Sequence, residues 1–161
     1  MQSPAHADAM MPTPACSFRP ATDADVAFLL ELRRSTMTPH YANHGIVLGD
    51  AEDRHRAESH LGSAAIIEVD GRAVGVIKVV HDGTTWTIDQ FQIAPAHQRL
   101  GLGTLVLRAV IADARRAGAL LRLSVLKKNP AAGLYARLGF RTLAESDHSY
   151  KMTFIDTVDE L

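Results

Sequence analysis

The stretch Thr84-Thr85-Trp86-Thr87-Ile88-Asp89-Gln90-Phe91-Gln92-Ile93-Ala94-Pro95-Ala96-His97-Gln98-Arg99-Leu100-Gly101-Leu102-Gly103-Thr104 decides the architecture. Its first half, Thr84 to Ala94, is rich in Thr, Trp, Ile and Phe and reads as a strand that Pro95 stops. From Leu100 to Gly118 the period changes. Leu107, Val110, Ile111 and Ala114 then share one helical face, and Gly118 closes the helix. A strand that runs through two glycines into a helix brings orphan N–H donors and the positive end of a helix dipole to one point. Such a junction suits an anion, most naturally a pyrophosphate, and Arg99 adds charge. The same residues also read as a plain tight turn. Rival phosphate motifs do not fit: no Lys-Ser or Lys-Thr follows Gly103, and the third glycine of a dinucleotide loop is missing.

Working outward, Ser63 to Val69 and Arg72 to His81 are two further strands, and Asp70-Gly71 and Asp82-Gly83 supply hairpin turns. Gly75 marks a bulge in the second of them. Upstream, Ser17 to Arg19 is a short strand before Pro20. Thr22, followed by Asp23 and Asp25, starts a helix with Val26, Leu29, Leu30 and Leu32 on one face, and Pro39 ends this helix or the turn after it. A loop from His40 to Gly45 follows, then a polar helix capped by Asp50 that runs to about Leu61. Downstream come a strand at Ala119 to Leu126, a helix from Pro130 to Leu138 closed by Gly139, and two last strands at Phe140 to Leu143 and Ser149 to Ile155. The order implies a mixed sheet with helices on its faces, α/β or α+β.

The 161 residues carry 47% hydrophobic and 22% charged side chains and a net charge of −1, which fits one globular domain over residues 16–161 behind a flexible tail at 1–15. The charge balance argues against nucleic acid as a partner. No apolar run is long enough for a membrane span, and no basic, then apolar leader is visible. The lone Cys16 excludes a disulfide framework and a cysteine-based zinc site, and suits a reducing cytoplasm. His40 and His44 lie four apart, but Pro39 and Gly45 speak against a helix there, so no metal is expected.

Two motifs carry a family resemblance. Gln98-x-x-Gly101-x-Gly103 resembles the Q/R-x-x-G-x-G/A signature of the GNAT superfamily of N-acetyltransferases. Asn129-Pro130-Ala131-Ala132-Gly133-Leu134-Tyr135-Ala136-Arg137-Leu138-Gly139-Phe140 resembles that family's segment of Asn, then Leu-Tyr, then Gly-Phe. The strand from Asp89 to Pro95 resembles the family's fourth strand. The resemblance implies a twisted, mostly antiparallel sheet of six to seven strands flanked by about four helices. It implies acetyl transfer from acetyl-CoA to a primary amine, of a small molecule or amino acid, by direct transfer in a ternary complex. A protein N-terminal or lysine acetyltransferase and a non-catalytic acyl-CoA-binding module are the alternatives, and a homodimer is left open.

The resemblance also assigns residues. Phe91, Gln92 and Ile93, Gln98 through Thr104 (Arg99, Leu100, Gly101, Leu102 and Gly103 included), Asn129 and Tyr135 would contact the cofactor. Met37, His40, Tyr41 and Gln90 would line the acceptor pocket, with His44 beside them. Tyr135 would be the general acid for the leaving thiolate. Asp89, nine residues before Gln98, is the candidate base, with Glu68 and His81 as weaker candidates. A base is needed because an amine with pKa near 10.4 must lose a proton at pH 7, at a cost of about 4.6 kcal/mol. Many members have one more residue between the Asn and the Tyr, which makes Lys128 the alternative to Asn129.

Overall fold

The computed structural model describes residues 15–156. The expected tail therefore lies almost wholly outside the described residues. Seven strands form one sheet in the order β1-β2-β3-β4-β5-β7-β6: β1 Ser17–Pro20, β2 Ala64–Val69, β3 Arg72–Asp82, β4 Thr85–Ile93, β5 Leu120–Leu126, β6 Phe140–Glu145 and β7 Ser149–Phe154. All neighbours are antiparallel except β4 and β5. The helices are α1 Val26–Thr36, α2 Thr38–Ala42, α3 Asp50–Glu58, α4 Leu102–Ala117 and α5 Ala131–Leu138. The sheet is thus mixed and mostly antiparallel, as expected, with five helices where about four were expected.

Alternation along the strands builds two cores. Ile67, Ile77, Ile88 and Leu123 face Leu102, Val106, Leu107 and Ile111 of α4, with Tyr135 of α5. Ile66 and Val76, one residue out of phase, face Leu29 and Leu32 of α1 and Ala57 of α3. Lys78 shares the parity of Val76, so its side chain also enters the α1/α3 side.

Local chemistry explains the ends. The Thr22 hydroxyl accepts from the Ala24 N–H, and the Asp25 carboxylate accepts from the Thr22 N–H at 2.8 Å. Arg19 then forks onto both Asp25 oxygens at 2.8 and 2.9 Å and reaches Glu68 with Nε at 2.8 Å, tying β1 and β2 to the start of α1. Gly118 and Gly139 close α4 and α5 in left-handed conformations, as the sequence suggests.

Four local expectations change. Pro39 does not end a helix but sits in the first turn of α2, where its missing N–H costs nothing, so His40 and Tyr41 are helical. Asp50 is the first residue of α3 rather than its cap, which is Gly49, and α3 stops at Glu58. Helix α4 begins at Leu102, behind the left-handed Gly101. The β3 bulge falls on Val74, beside Gly75. The glycine itself is required because a Cβ there would stand 2.5 Å from the Gln92 carbonyl oxygen on β4.

Candidate active site

The site follows from where β4 and β5 part. They pair from Thr85↔Leu120 to Ile88↔Leu123 and no further. β5 continues along β7 from Arg122↔Thr153 to Leu126↔Ser149, while β4 stays with β3 as far as Ile93↔Gly75. The register against β3 slips between Lys78↔Gln90 and Val79↔Ile88, so Asp89 is the extra, bulged residue. Beyond it, the edge of β4 from Asp89 to Ile93 lacks its β5 partner.

A cavity of about 690 Å³ opens at this parting. Asp89, Gln90, Phe91 and Gln92 form one wall, and Ser124 to Leu126, Asn129 and Tyr135 form the other. Met37, Tyr41 and residues of α1 and α3 cover it. The structure therefore brings together eight expected residues: Asp89, Gln90, Phe91, Gln92, Asn129, Tyr135, Met37 and Tyr41.

Tyr135 is 6% exposed, and its ring meets Phe140 edge-on at 5.6 Å. Burial pushes its hydroxyl well above the usual phenol value, so the group stays protonated. The Asn129 carboxamide oxygen accepts from the Ala131 N–H at 2.9 Å, so this side chain caps α5 while lining the cavity. The neighbouring Lys128 is exposed, in a left-handed conformation.

The glycine turn follows the same, C-terminal end of β4. Arg99 and Gly101 both have positive φ, 64° and 83°. The Gln98 amide donates to the Ile93 carbonyl at 2.8 Å and braces the turn. The first helical bond runs from the Leu105 N–H to the Gly101 carbonyl, which leaves the amides of Leu102, Gly103 and Thr104 as the orphan donors of a 16-residue helix. Gly103 does not clear space for a ligand. A Cβ there would meet Leu134 at 3.4 Å, Phe91 at 3.7 Å and Ile93 at 3.8 Å, so this glycine seats α4 against α5 and β4. Gln98 through Thr104 and Ile93 do not line the cavity itself.

Other expectations shift. His40 is not on the cavity wall, whereas Tyr41, next to it on α2, is. His44 does not line it either: its Nε2 lies 2.7 Å from the Lys127 carbonyl oxygen and its Nδ1 lies 3.2 Å from His148 Nδ1, bridging α2 to the β6–β7 turn. Glu68 is held by Arg19 on the far strands, away from the cavity. His81 stacks on Trp86 at 3.8 Å on a different groove. Neither is placed as a base.

The sequence reading missed the cover. Arg33, Glu52, His55 and Arg56 line the cavity. Residues 52 to 58 read as a solvated face, yet Asp53 is buried and Arg56 donates to the Tyr41 hydroxyl and to Glu52, both at 2.7 Å. The i,i+4 spacing of Glu52 and Arg56 was the available signal. Lys78, fully buried, donates to the carbonyls of Arg56 and Ser59 at the end of α3, and Gln90 donates to the Arg56 carbonyl at 2.7 Å. Burial lowers the Lys78 pKa, and the Asp89 charge opposes that shift. Among the described residues no group of three or more His, Cys, Asp or Glu is placed to hold a metal ion, and no helix is long and apolar enough to cross a membrane.

Among the described residues the sheet has one parallel pair, and it splays open beside a glycine turn and a helix N-terminus. The fold is similar to PaiA N-acetyltransferase from Thermoplasma acidophilum in complex with coenzyme A, with TM-score 0.75 and 16% identity over 88% of this chain and 99% of that one. It is also similar to the ribosomal-protein-S18-alanine N-acetyltransferase from Escherichia coli, with TM-score 0.66 and 18% identity over 87% and 93%. N-acetylglutamate synthase from Neisseria gonorrhoeae complexed with coenzyme A and L-arginine matches with TM-score 0.65 and 20% identity over 86% of this chain and 32% of that one. Among curated protein sequences nothing matches. The acetyltransferase (GNAT) family model matches residues 27–140. The chain belongs to that family and is an acyltransferase.

Proposed function

We propose that the protein transfers an acetyl group from acetyl-CoA to a primary amine of a small molecule or amino acid, directly and in a ternary complex. The observation that carries this reading is the placement of Asp89 and Tyr135 on facing walls of one cavity, at the point where β4 and β5 part. Acetyl-CoA, when bound, supplies a thioester carbon open to attack by an amine. The orphan amides at the start of α4 and the Arg99 guanidinium would hold its pyrophosphate. The free edge of β4 at Phe91 to Ile93 offers N–H groups to the pantetheine arm and to the oxyanion of the tetrahedral intermediate.

Asp89 takes the amine proton, through a water, and returns it to solvent. Its carboxylate is exposed to the cavity, and its charge acts on the buried Lys78. Tyr135 hands its proton to the departing thiolate. Met37, Tyr41 and Gln90 shape the space for the acceptor.

Asp89→Asn tests the base. Wild-type kcat/KM should rise with pH through a single ionisation. The variant should lose most at acidic pH, where more of the amine is ammonium, by roughly 10²-fold, and still bind acetyl-CoA. An unchanged pH profile in the variant removes Asp89 from the reaction.

A further inference from the structure

We propose that the acceptor is an amino carboxylate, an amino acid or a close relative, and that Arg33 is the residue that holds its carboxylate. The inference rests on reading the cavity as the acceptor site. Arg33 belongs to α1, is only 3% exposed, and lines the cavity. Its Nε and Nη2 are buried with no hydrogen-bond partner. These two nitrogens form one edge of the guanidinium, the edge that grips a carboxylate with two parallel N–H···O bonds. The nearest acid, Asp53, stands 3.6 Å from Nε, beyond hydrogen-bond reach. Asp53 thus offsets the charge without satisfying the donors. Buried charged donors are rarely left without acceptors in native proteins, and Arg33 is also part of the cavity wall.

The surrounding charges favour the same class of acceptor. Arg33 and Arg56 line the cavity with Glu52 and Asp89, while Lys78 and Asp53 lie buried behind. Glu52 is engaged by Arg56 at 2.7 Å, and Asp53 faces Arg33. Asp89 is the acid left to meet an ammonium. A zwitterion places one charge on Arg33 and one near Asp89 and adds no net charge. A polyamine would bring several positive charges against three buried or half-buried cations.

The test compares proteinogenic L-amino acids with their amides and their decarboxylated amines, using thiol release from acetyl-CoA. The wild type should prefer the best amino acid over its amide and its amine by about 10²-fold in kcat/KM, the scale of a buried charge-assisted contact. In Arg33→Gln that preference should collapse towards one, mainly through KM. Arg33→Lys, which keeps a charge beside Asp53 and protects the fold, should lose most of the preference because an ammonium cannot fork. A parallel thermal-shift titration of the same amino acids against the CoA-saturated protein reads binding without turnover. Amines and amides accepted as well as amino acids, or equal losses on all three in the Arg33 variants, overturn the anchor and leave acetyl transfer standing. No turnover with any acceptor, but Arg33-dependent amino-acid binding, refutes acetyl transfer and keeps the carboxylate site. Neither turnover nor amino-acid binding overturns both.

Discussion

Replacing Tyr135 with Phe separates chemistry from packing more cleanly than any other change in the cavity. The ring is 6% exposed and packed edge-on against Phe140, and Phe keeps that contact. No group of the described residues hydrogen-bonds the hydroxyl, so its removal should alter stability by no more than about 0.5 kcal/mol, or about 2 °C in Tm. The rate is a different matter. A positioned acid contributes about 10² to 10⁴, or about 2.7 to 5.4 kcal/mol of barrier. Burial holds the hydroxyl above the usual phenol value of about 10, which makes proton donation to a solvated thiolate uphill. A thiolate leaving against the same buried wall is itself desolvated and becomes more basic, so the transfer is favourable where it occurs. Because the pKa is raised, Tyr135 stays protonated to pH 10 and beyond, and wild-type kcat should show no basic limb from this group. Above that value the native state keeps a proton the unfolded chain releases, so the wild type should lose stability with rising pH and the Phe variant should not. Thiol-release kinetics, calorimetric acetyl-CoA binding and thermal melts check the three statements. A thioester with a more acidic leaving thiol should restore part of the lost rate. A Phe variant with wild-type turnover would return Tyr135 to the core and leave the thiolate to solvent.

Close contacts and charges set four further outcomes. Gly75→Ala should destabilise by about 3 kcal/mol, seen as a lower urea midpoint, because the new methyl meets the Gln92 carbonyl at 2.5 Å and backbone must move. Gly103→Ala should be tolerated, since its Cβ makes only ordinary contacts at 3.4 to 3.8 Å. Gly103→Val should displace Leu134 and Phe91, shift the start of α4 and weaken CoA binding by about 10-fold or more, read by calorimetry; unchanged affinity in a folded Val variant would show that this packing does not position the amides of the turn. Asp25 has its pKa lowered by the Arg19 fork and the Thr22 N–H, so its contribution is full above the ordinary carboxylate value of about 4 and fades as pH falls below it. Asp25→Asn should cost about 1 kcal/mol at pH 7, and the gap from wild type should narrow towards pH 2 to 3 in urea melts.

What the sequence made legible was local. Strand β4, the glycine turn and α4 follow each other within 33 residues, and each announces itself by period, proline or glycine. Asn129 and Tyr135 were reachable because their motif is contiguous. The cover of the cavity was not legible, because which side chains of α1 and α3 turn inward depends on how those helices cross the sheet. Nothing local in the sequence marks Arg33 or Asp53 as turned inward, although both are buried. Proline at 39 is ambiguous on its own: it stops a helix or starts one, and only the chain after it decides. Once α2 exists, successive side chains point about 100° apart, so Tyr41 reaches the cavity and His40 does not. Glu68 and His81 had suitable chemistry but lie on strand stretches that the sheet order keeps away from the parting of β4 and β5.

That parting and the candidate base have a common origin in one extra residue. β4 must satisfy β3 along its whole length and β5 along part of it. Inserting Asp89 against the Lys78–Val79 step offsets the two registers and bends β4, and a bulge adds local twist. β5 is meanwhile held by β7 on its other side and cannot follow. The parallel pair therefore separates at Ile88, next to the bulge. The bulge carries the carboxylate into the gap it creates, and Lys78, opposite the slip, lies buried beneath that carboxylate and ties the end of α3 over it. Neither glycine nor proline marks position 89, so nothing local in the sequence signals the slip. It exists because β3 and β7 pull their neighbours in different directions, and the cavity is the space left between them.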